Sequence, residues 1–349
     1  MLVCAVPQEE KMKFSIGYPL NSHGKSFFES VSPLLDRVAE IYFAWPGESS
    51  GRSAAGHNFG MIDYGATEEL LDELYQFRSA GVKLALLFNG NCYGEDAMSK
   101  ALEGRVLSAL DYMERTVGLP QTVTTASPAI AYVIKKHCPD IKTRASVNMR
   151  IGTVQGMQNV SDRFDEFVLQ RDYNRNLAHM TDLVDWCRAN GKEASILVNS
   201  GCLRFCSAQT FHDNLVAHGS GADMRYPIEG FSLNTCWNHL KKSDENKLAL
   251  LQSTWIRPED LHHYEGLFDT VKLATRMHPA PFMVLEAYCR GSFTGNLLDL
   301  FEPGFASIIE PHILDNKAFS PDWFEKVLRC NGNCHKCSIC REEWKNIFR

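Results

Sequence analysis

The sequence lacks the features that would place it in or across a membrane. Its apolar start spans only residues 1–6, without the basic flank and long apolar stretch of a secretory signal. No segment approaches the ~18 uninterrupted apolar residues that a spanning helix needs. From these absences we expect a cytoplasmic protein with no membrane partner.

Positive charge is not in excess. The 36 Lys and Arg residues are outnumbered by 42 Asp and Glu residues, which gives a formal net charge of −6. This balance argues against a surface that coats nucleic acid generally, although a local basic groove for RNA stays open. The 349 residues, 44% of them hydrophobic, are enough for one large barrel or two medium domains.

Several catalytic signatures are also missing. No Gly-x-Gly-x-x-Gly follows the first predicted strand, so a dinucleotide-binding sheet loses its main support. Neither His-Glu-x-x-His nor Gly-x-Ser-x-Gly occurs, which leaves metalloprotease and α/β-hydrolase chemistry without a motif. No internal repeat or low-complexity segment is present.

The dominant pattern is a short β-rich run followed by an amphipathic stretch. Strands are predicted at residues 14–18, 41–45, 82–88, 121–125, 142–147, 166–170, 193–199 and 271–275, and helices at 26–38, 67–80, from 128, 177–189 and 283–290. Eight strands joined by helices predict an α/β fold, a TIM-like (β/α)8 barrel over residues 12–320, with an irregular insertion between the seventh and eighth strands. A doubly wound open sheet is the competing layout, since periodicity does not give strand order.

Polar residues follow many of these strands, where barrel enzymes place their chemistry. They are Glu48, Arg52, Asn89, Asn91, Asn148, Arg171, Asp172, Asn174, Asn199, Ser200, Arg276 and His278. Arginines and asparagines at one mouth suit a carboxylate-bearing small molecule or peptide, although loops are polar in any protein. The residues predicted to be catalytic are Arg171, Asp172, Asn199, His212 and Arg276. The loop at residues 47–53 is small and polar enough to hold a phosphate or a carboxylate, or to be only a surface loop.

Twelve cysteines are the unusual feature, and four of them form a C-x3-C-x2-C-x2-C motif in a Cys-rich tail, residues 321–349. Cys330, Cys334, Cys337 and Cys340 predict an iron–sulfur or metal site, because four thiolates in so short a segment can surround one ion or cluster. Zinc is the alternative at this tail, and a disulfide pair is disfavoured in a reducing compartment. The first three cysteines also match the radical S-adenosylmethionine signature, which in those enzymes follows the first barrel strand.

A second group of cysteines follows the seventh predicted strand. Cys202 and Cys206 form a C-x3-C pair, and Cys236 comes thirty residues later. Three thiolates can hold three corners of a [4Fe–4S] cluster and leave one iron open for substrate. A tail cysteine that completes this site is the alternative, so one or two clusters are predicted. The five remaining cysteines, Cys4, Cys92, Cys138, Cys187 and Cys289, read as small buried hydrophobes.

The chain resembles the U32-type peptidase-like family, the collagenase-like proteases. The resemblance rests on the run from Leu197 to Cys206, the following Phe211-His212-x-Asn214, and residues 255–261 leading into 271–276, and it spans most of residues 12–300 in order. It implies a TIM-like barrel with a cysteine-ligated iron–sulfur cluster near its mouth. It also implies relatives that carry out oxygen-independent hydroxylation in ubiquinone biosynthesis and tRNA uridine modification, with prephenate as oxygen donor.

The resemblance carries over to individual residues. It places Cys202, Cys206 and Cys236 in the cluster-binding region and makes Arg276 a plausible anion contact. Such relatives carry a further cysteine before the segment matching residues 257–260, which this chain lacks, so the tail becomes a candidate supplier of the fourth ligand.

The leading interpretation is an iron–sulfur enzyme for oxygen-independent hydroxylation or a related redox modification of a small molecule or RNA. The alternatives are a peptidase, with Cys202 as nucleophile and His212 as its base, and an accessory or electron-transfer subunit with a protein partner.

Overall fold

Strands and helices alternate along the chain. The computed structural model describes residues 11–19, 26–51, 64–218, 228–231, 234–330 and 332–349. The strands are β1 Lys13–Gly17, β2 Val38–Ala44, β3 Lys83–Phe88, β4 Thr122–Thr125, β5 Lys142–Ala145, β6 Glu166–Val168, β7 Glu193–Ser195 and β8 Thr270–Leu273. The α-helices are α1 Phe27–Val31, α2 Tyr64–Ser79, α3 Lys100–Thr116, α4 Pro128–His137, α5 Val154–Gln158, α6 Leu177–Ala189, α7 Gln209–Ala217, α8 Thr235–Lys241, α9 Asp244–Lys247, α10 Ala249–Gln252, α11 Pro281–Arg290, α12 Trp323–Leu328 and α13 Ile339–Ile347.

The strands form one parallel sheet in the order β7-β6-β5-β4-β3-β2-β1-β8. Its two edges meet where the segment after β7 pairs with β8: Leu197 bridges Lys272, and the Lys272 N–H donates to Ile196 O at 2.8 Å. The consecutive strand order and this contact confirm the predicted TIM-like barrel and exclude the doubly wound sheet.

The outer faces of the strands pack against the helices. On β8, Val271 and Leu273 are fully buried in the layer between strands and helices, whereas Lys272 points to the barrel interior. The alternation follows from the period of two along a strand. It sets which side chains of each strand can reach the mouth.

The interior of the barrel is charged towards the amino-terminal ends of the strands. The Arg144 guanidinium binds the two Glu40 carboxylate oxygens at 2.7 and 2.8 Å, and its Nε lies 2.6 Å from Glu166 Oε2. Ser15 and Ser195 donate to these carboxylates at 2.7 and 2.9 Å. Burial alone would raise the pKa of Glu40, but the Arg144 charge and the hydrogen bonds from Arg144 and Ser15 together outweigh it and lower that pKa.

The boundaries of the predicted elements differ from the observed ones in a few places. The helix predicted at 26–38 is α1 followed by a 3-10 segment, Ser32–Arg37, because Pro33 begins a new turn. The seventh strand is shorter than predicted and ends at Ser195. Helix α3 was not predicted, although Ser99 caps it by accepting from the Leu102 N–H.

The tail packs against apolar residues that lie between positions 240 and 319. Trp323 of α12 stacks on Trp255 with ring centroids 6.2 Å apart, and Ile347 of α13 is fully buried in the same apolar cluster. Glu343 of α13 accepts from both the N–H and the hydroxyl of Ser320. The division at residues 320 and 321 stays a prediction. No helix in the described ranges has the length and apolar character to cross a membrane.

Candidate functional site

A cavity of about 150 Å³ opens at the carboxyl-terminal mouth of the barrel. It lies between the strand ends and the segment that connects β7 to β8. Eight residues singled out from the sequence line it together: Asn89, Asn148, Arg171, Cys202, Cys206, His212, Cys236 and Arg276. Residues far apart in the chain therefore converge where barrel chemistry belongs.

The loop after β2 packs against two of these side chains. The Gly51 N–H donates to Asn89 Oδ1 at 3.0 Å, and a Cβ on Gly51 would lie 2.4 Å from Asn148 Nδ2. Only glycine fits this close approach. Glu48 points away and pairs with Arg105 at 3.1 Å. Arg52 and Ser53, the end of the predicted anion-binding loop, lie outside the described residues.

Two arginines supply positive charge to the cavity. Arg276 is buried, and its Nη2 donates to Ser50 Oγ at 2.8 Å. Arg171 is only 7% exposed, and its Nη2 is buried with no hydrogen-bond partner among the described residues. A buried guanidinium nitrogen without a partner is costly, so this atom is suited to an anionic group of a ligand.

Asp172 and Asn199 lie beside the mouth, but their polar atoms bind the protein itself. Asn199 Nδ2 donates to Ala274 O and Leu300 O, both at 2.9 Å, while its Oδ1 accepts from the Ala274 N–H. Asp172 accepts from Gln170 Nε2 and from the Phe205 N–H. These contacts hold the site in shape, and a catalytic role for either residue stays a prediction.

The loop that carries Cys202 and Cys206 has a constrained backbone. A Cβ on Gly201 would lie 2.1 Å from Pro303 O, so the chain passes too close there for any side chain. Phe205 has φ +48°, and its N–H is held by Asp172 Oδ1 at 2.5 Å. A positive φ strains a non-glycine residue, and the hydrogen bond to Asp172 holds Phe205 in this conformation. Asp172 thereby fixes the loop that presents the thiols of Cys202 and Cys206.

His212 reaches the cavity from α7. Arg150 anchors this helix by donating to Thr210 Oγ1 at 2.7 Å and to Asp213 Oδ2 at 3.0 Å. His212 therefore shares the cavity with Cys202 and Cys206, while His218, at the end of the helix, is exposed.

The thiols of Cys202, Cys206 and Cys236, the mouth thiols, line the same cavity. Burial raises the pKa of Cys236, and negative charge on Cys202 and Cys206 raises it further. Soft thiolate donors beside one cavity are the kind of ligand that an iron–sulfur cluster takes.

The tail thiols line a separate, small cavity of about 30 Å³, which contains Cys330, Cys334, Cys337 and Cys340. Burial raises the pKa of Cys340 to about 11. Arg175 lies under this cavity, with its guanidinium 4.3 Å from the centre of the Trp255 ring. The four thiols match zinc or a cluster in donor chemistry.

Arg204 of the mouth loop contacts one of the tail thiols. It lies between Cys202 and Cys206 in sequence, and its Nη1 donates to Cys330 Sγ at 3.4 Å while its Nε donates to Asp172 O at 3.0 Å. In the described part of the chain, no three His, Cys, Asp or Glu side chains are already arranged to hold a metal ion.

The remaining cysteines fall in different surroundings. Cys187 is buried in the core, and Cys138 and Cys289 pack against it while partly buried. Cys92 is half-buried, and Cys4 lies outside the described residues.

Sequence reasoning missed several residues that line the mouth: Tyr42, Gln209, Lys272, Glu302 and Phe305. Lys272 had a readable signal, since a lysine interrupts an otherwise apolar strand. Glu302 and Phe305 follow the last barrel helix, and nothing in the local pattern shows that the chain returns there to the mouth.

Comparison with known proteins gives one relative in sequence and a neighbour in fold. An uncharacterized protease of Methanocaldococcus jannaschii is 32% identical over 164 residues, which cover 46% of this chain and 48% of that protein. The match thus spans about half the length of that relative. The structure of the U32 peptidase Mk0906 aligns with a TM-score of 0.53 and 15% identity, over 77% of this chain and 95% of that one. No family model matches the chain.

These two similarities support the U32-type peptidase-like family that the sequence resembles. The structural neighbour supports the barrel fold, and the partial sequence match supports a relationship to the Methanocaldococcus jannaschii protein.

Proposed function

We propose that the chain is an iron–sulfur-dependent enzyme that carries out a non-hydrolytic redox modification, oxygen-independent hydroxylation or a related reaction. Its substrate would be an anionic small molecule or RNA. The proposal rests on one observation: Cys202, Cys206 and Cys236 line the same cavity as Arg171 and Arg276. A cluster held by three thiolates would supply an iron with an open coordination position.

The residues around the thiols would bind and orient the substrate. Arg171 Nη2 would donate to an anionic group of the substrate, since it is buried and has no partner among the described residues. Arg276, held by Ser50, adds a second positive charge. His212 is one of the titratable side chains placed to move a proton within the cavity. The barrel and the loop after β2 would exclude bulk water.

Anaerobic purification tests the cofactor directly. We expect iron and acid-labile sulfide, with the broad visible absorbance of a cluster, and we expect Cys206→Ala to lose the part of that absorbance that the mouth site contributes. Cys138→Ala is the matched control, because Cys138 packs against the core on another part of the barrel. A colourless protein that contains only zinc would contradict the proposal, as would full retention of iron and sulfide in Cys206→Ala.

A peptidase is the second candidate, because Cys202 and His212 line one cavity and the sequence relative is named a protease. In that case a Cys202 thiolate would attack a peptide carbonyl, with His212 as the base. Metal-free protein would then hydrolyse peptides and lose this activity in Cys202→Ala. Activity that requires iron and persists toward a non-peptide substrate would decide against hydrolysis.

A further inference from the structure

Lys272 places an amine in the middle of the barrel. It faces inward from β8, like Thr270, and is paired with Ser15 of β1 on one side and Leu197 on the other. It lines the mouth cavity and also a second cavity, of about 400 Å³, at the amino-terminal ends of the strands. The amine is therefore inside the barrel and still reachable from the mouth.

The surroundings of Lys272 favour a neutral amine. Its Nζ lies 3.6 Å from the centre of the Tyr42 ring, and this amine forms no hydrogen bond or ion pair with a side chain or carbonyl of the described residues. The nearby carboxylates Glu40 and Glu166 are already bound by Arg144. Burial lowers the pKa of Lys272 to about 7, and the charges of Arg144 and Arg276 act in the same direction against the two carboxylates.

A binding position for an anion lies in the same cavity. Arg171 is buried, with an exposed fraction of 7%, and its Nη2 has no hydrogen-bond partner among the described residues. The mouth cavity measures about 150 Å³, which suits a molecule of only a few carbon atoms. An amine nucleophile and an anion-binding arginine in one small cavity match a small carbonyl compound with a carboxylate.

We propose that Lys272 forms an imine with a small aldehyde or ketone that carries a carboxylate, seated with the carboxylate at Arg171. The Nζ lone pair attacks the carbonyl carbon, a C–N bond forms, and the carbonyl oxygen leaves as water with the two amine protons. The condensation needs no oxidant or reductant. This chemistry goes beyond the proposed redox function, because it requires none of the thiols.

Reductive trapping tests the imine in the full chain. The anaerobically purified protein is incubated with glyoxylate or pyruvate and with cyanoborohydride, which delivers a hydride to the imine carbon. Intact mass and peptide mapping then locate the adduct. We expect one adduct, on the peptide that contains Lys272, and a much slower reaction with acetaldehyde and acetone, which lack the carboxylate.

Variants and controls sharpen the assignment. Lys272→Met should abolish the adduct. Lys83→Arg should leave it unchanged, since Lys83 is exposed and lines the cavity at the amino-terminal ends of the strands, not the mouth cavity. Should Lys272→Met fail to fold, the mapped position of the wild-type adduct still decides. Adducts spread over surface lysines, or none at Lys272, would overturn the proposal, and equal trapping of acetone would overturn the role of Arg171.

The same preparation is analysed for iron and sulfide. An adduct without iron would contradict only the proposed redox function. Iron and sulfide without an adduct would contradict only the role of Lys272.

Discussion

Arg144 determines the charge balance of the barrel interior. Its guanidinium contacts Glu166 on the adjacent strand β6 and Glu40 on β2, three strands away in the sheet, and all three side chains are about one-tenth exposed or less. Removing one member of such a group leaves buried charge without compensation, which is more costly than losing the attraction itself.

We therefore predict that Arg144→Met lowers the free energy of unfolding by ~3–5 kcal/mol. Chemical denaturation followed by circular dichroism measures this change. The control lies on the same strand: Lys142 pairs with Glu193 at the surface, with side chains 49% and 58% exposed, and Lys142→Met should cost only ~0–1 kcal/mol. Equal losses of stability in the two variants would contradict the structure, in which the charges of Arg144, Glu40 and Glu166 are buried away from water.

The pH dependence of trapping at Lys272 follows from its lowered pKa. An ordinary lysine has a pKa of 10.5, so its amine is mostly protonated at neutral pH, whereas Lys272 should lose its proton near pH 7. Because only the neutral amine attacks a carbonyl, we expect the trapping rate with pyruvate to rise through about pH 7 and to level off by pH 9. A rate that keeps rising tenfold per pH unit up to pH 9 would show an unperturbed amine.

At the scale of residues, the sequence identifies chemical groups better than their partners. Arg171, Arg276 and His212 were predicted from their types and places along the chain, and the structure brings them to one cavity. The side chains of Asp172 and Asn199 instead bind backbone groups of other residues. One such contact joins Asn199 to Leu300, 101 residues away in the sequence. Local pattern cannot show such contacts.

At the scale of elements, the barrel was predictable because each strand and helix has its own period. Helix α6 has the predicted bounds, since Asn176 caps its start and Asn190-Gly191 follow its end. Helix α3 was missed even though Leu102, Val106 and Met113 bury one face at helical spacing. The pairing that closes the barrel, between Leu197 and Lys272, joins segments distant in sequence and becomes visible only in three dimensions.

In the tail, the residues that pack against the rest of the chain differ from the predicted metal ligands Cys334 and Cys337, and this difference can be tested. Trp323 is 1% exposed and stacks on Trp255, whereas Cys334 and Cys337 are exposed. We predict that Cys337→Ser lowers the metal content of the tail while leaving the unfolding midpoint of the barrel unchanged.

Trp323→Ala is the comparison for that variant. Truncating a buried tryptophan should lower the free energy of unfolding by ~3–5 kcal/mol, because a cavity is left in the apolar cluster. Metal analysis and thermal unfolding are measured on both variants. Global unfolding of Cys337→Ser would contradict the position of this thiol outside the packed core.

At the scale of the whole molecule, the loop that carries Cys202 and Cys206 contacts the tail, although the two are distant in sequence. Arg204 of the mouth loop donates to Cys330 of the tail across a sequence separation of 126 residues. Yet the mouth thiols line one cavity and the tail thiols another, and the two sets of lining cysteines share no member. Contact between the loop and the tail would allow one shared site, whereas the separate cavities lead us to expect two.

We accordingly predict additive losses of metal. Cys202→Ala should remove the mouth metal and leave the tail metal in place, Cys337→Ser should do the reverse, and the double variant should lose both. Metal and sulfide are counted per chain after anaerobic purification, with Cys138→Ala as the control that keeps both. If either single substitution removed all of the metal, the mouth and tail cysteines would have to supply ligands to one cluster, and Arg204 would then lie inside the ligand shell and not between two sites.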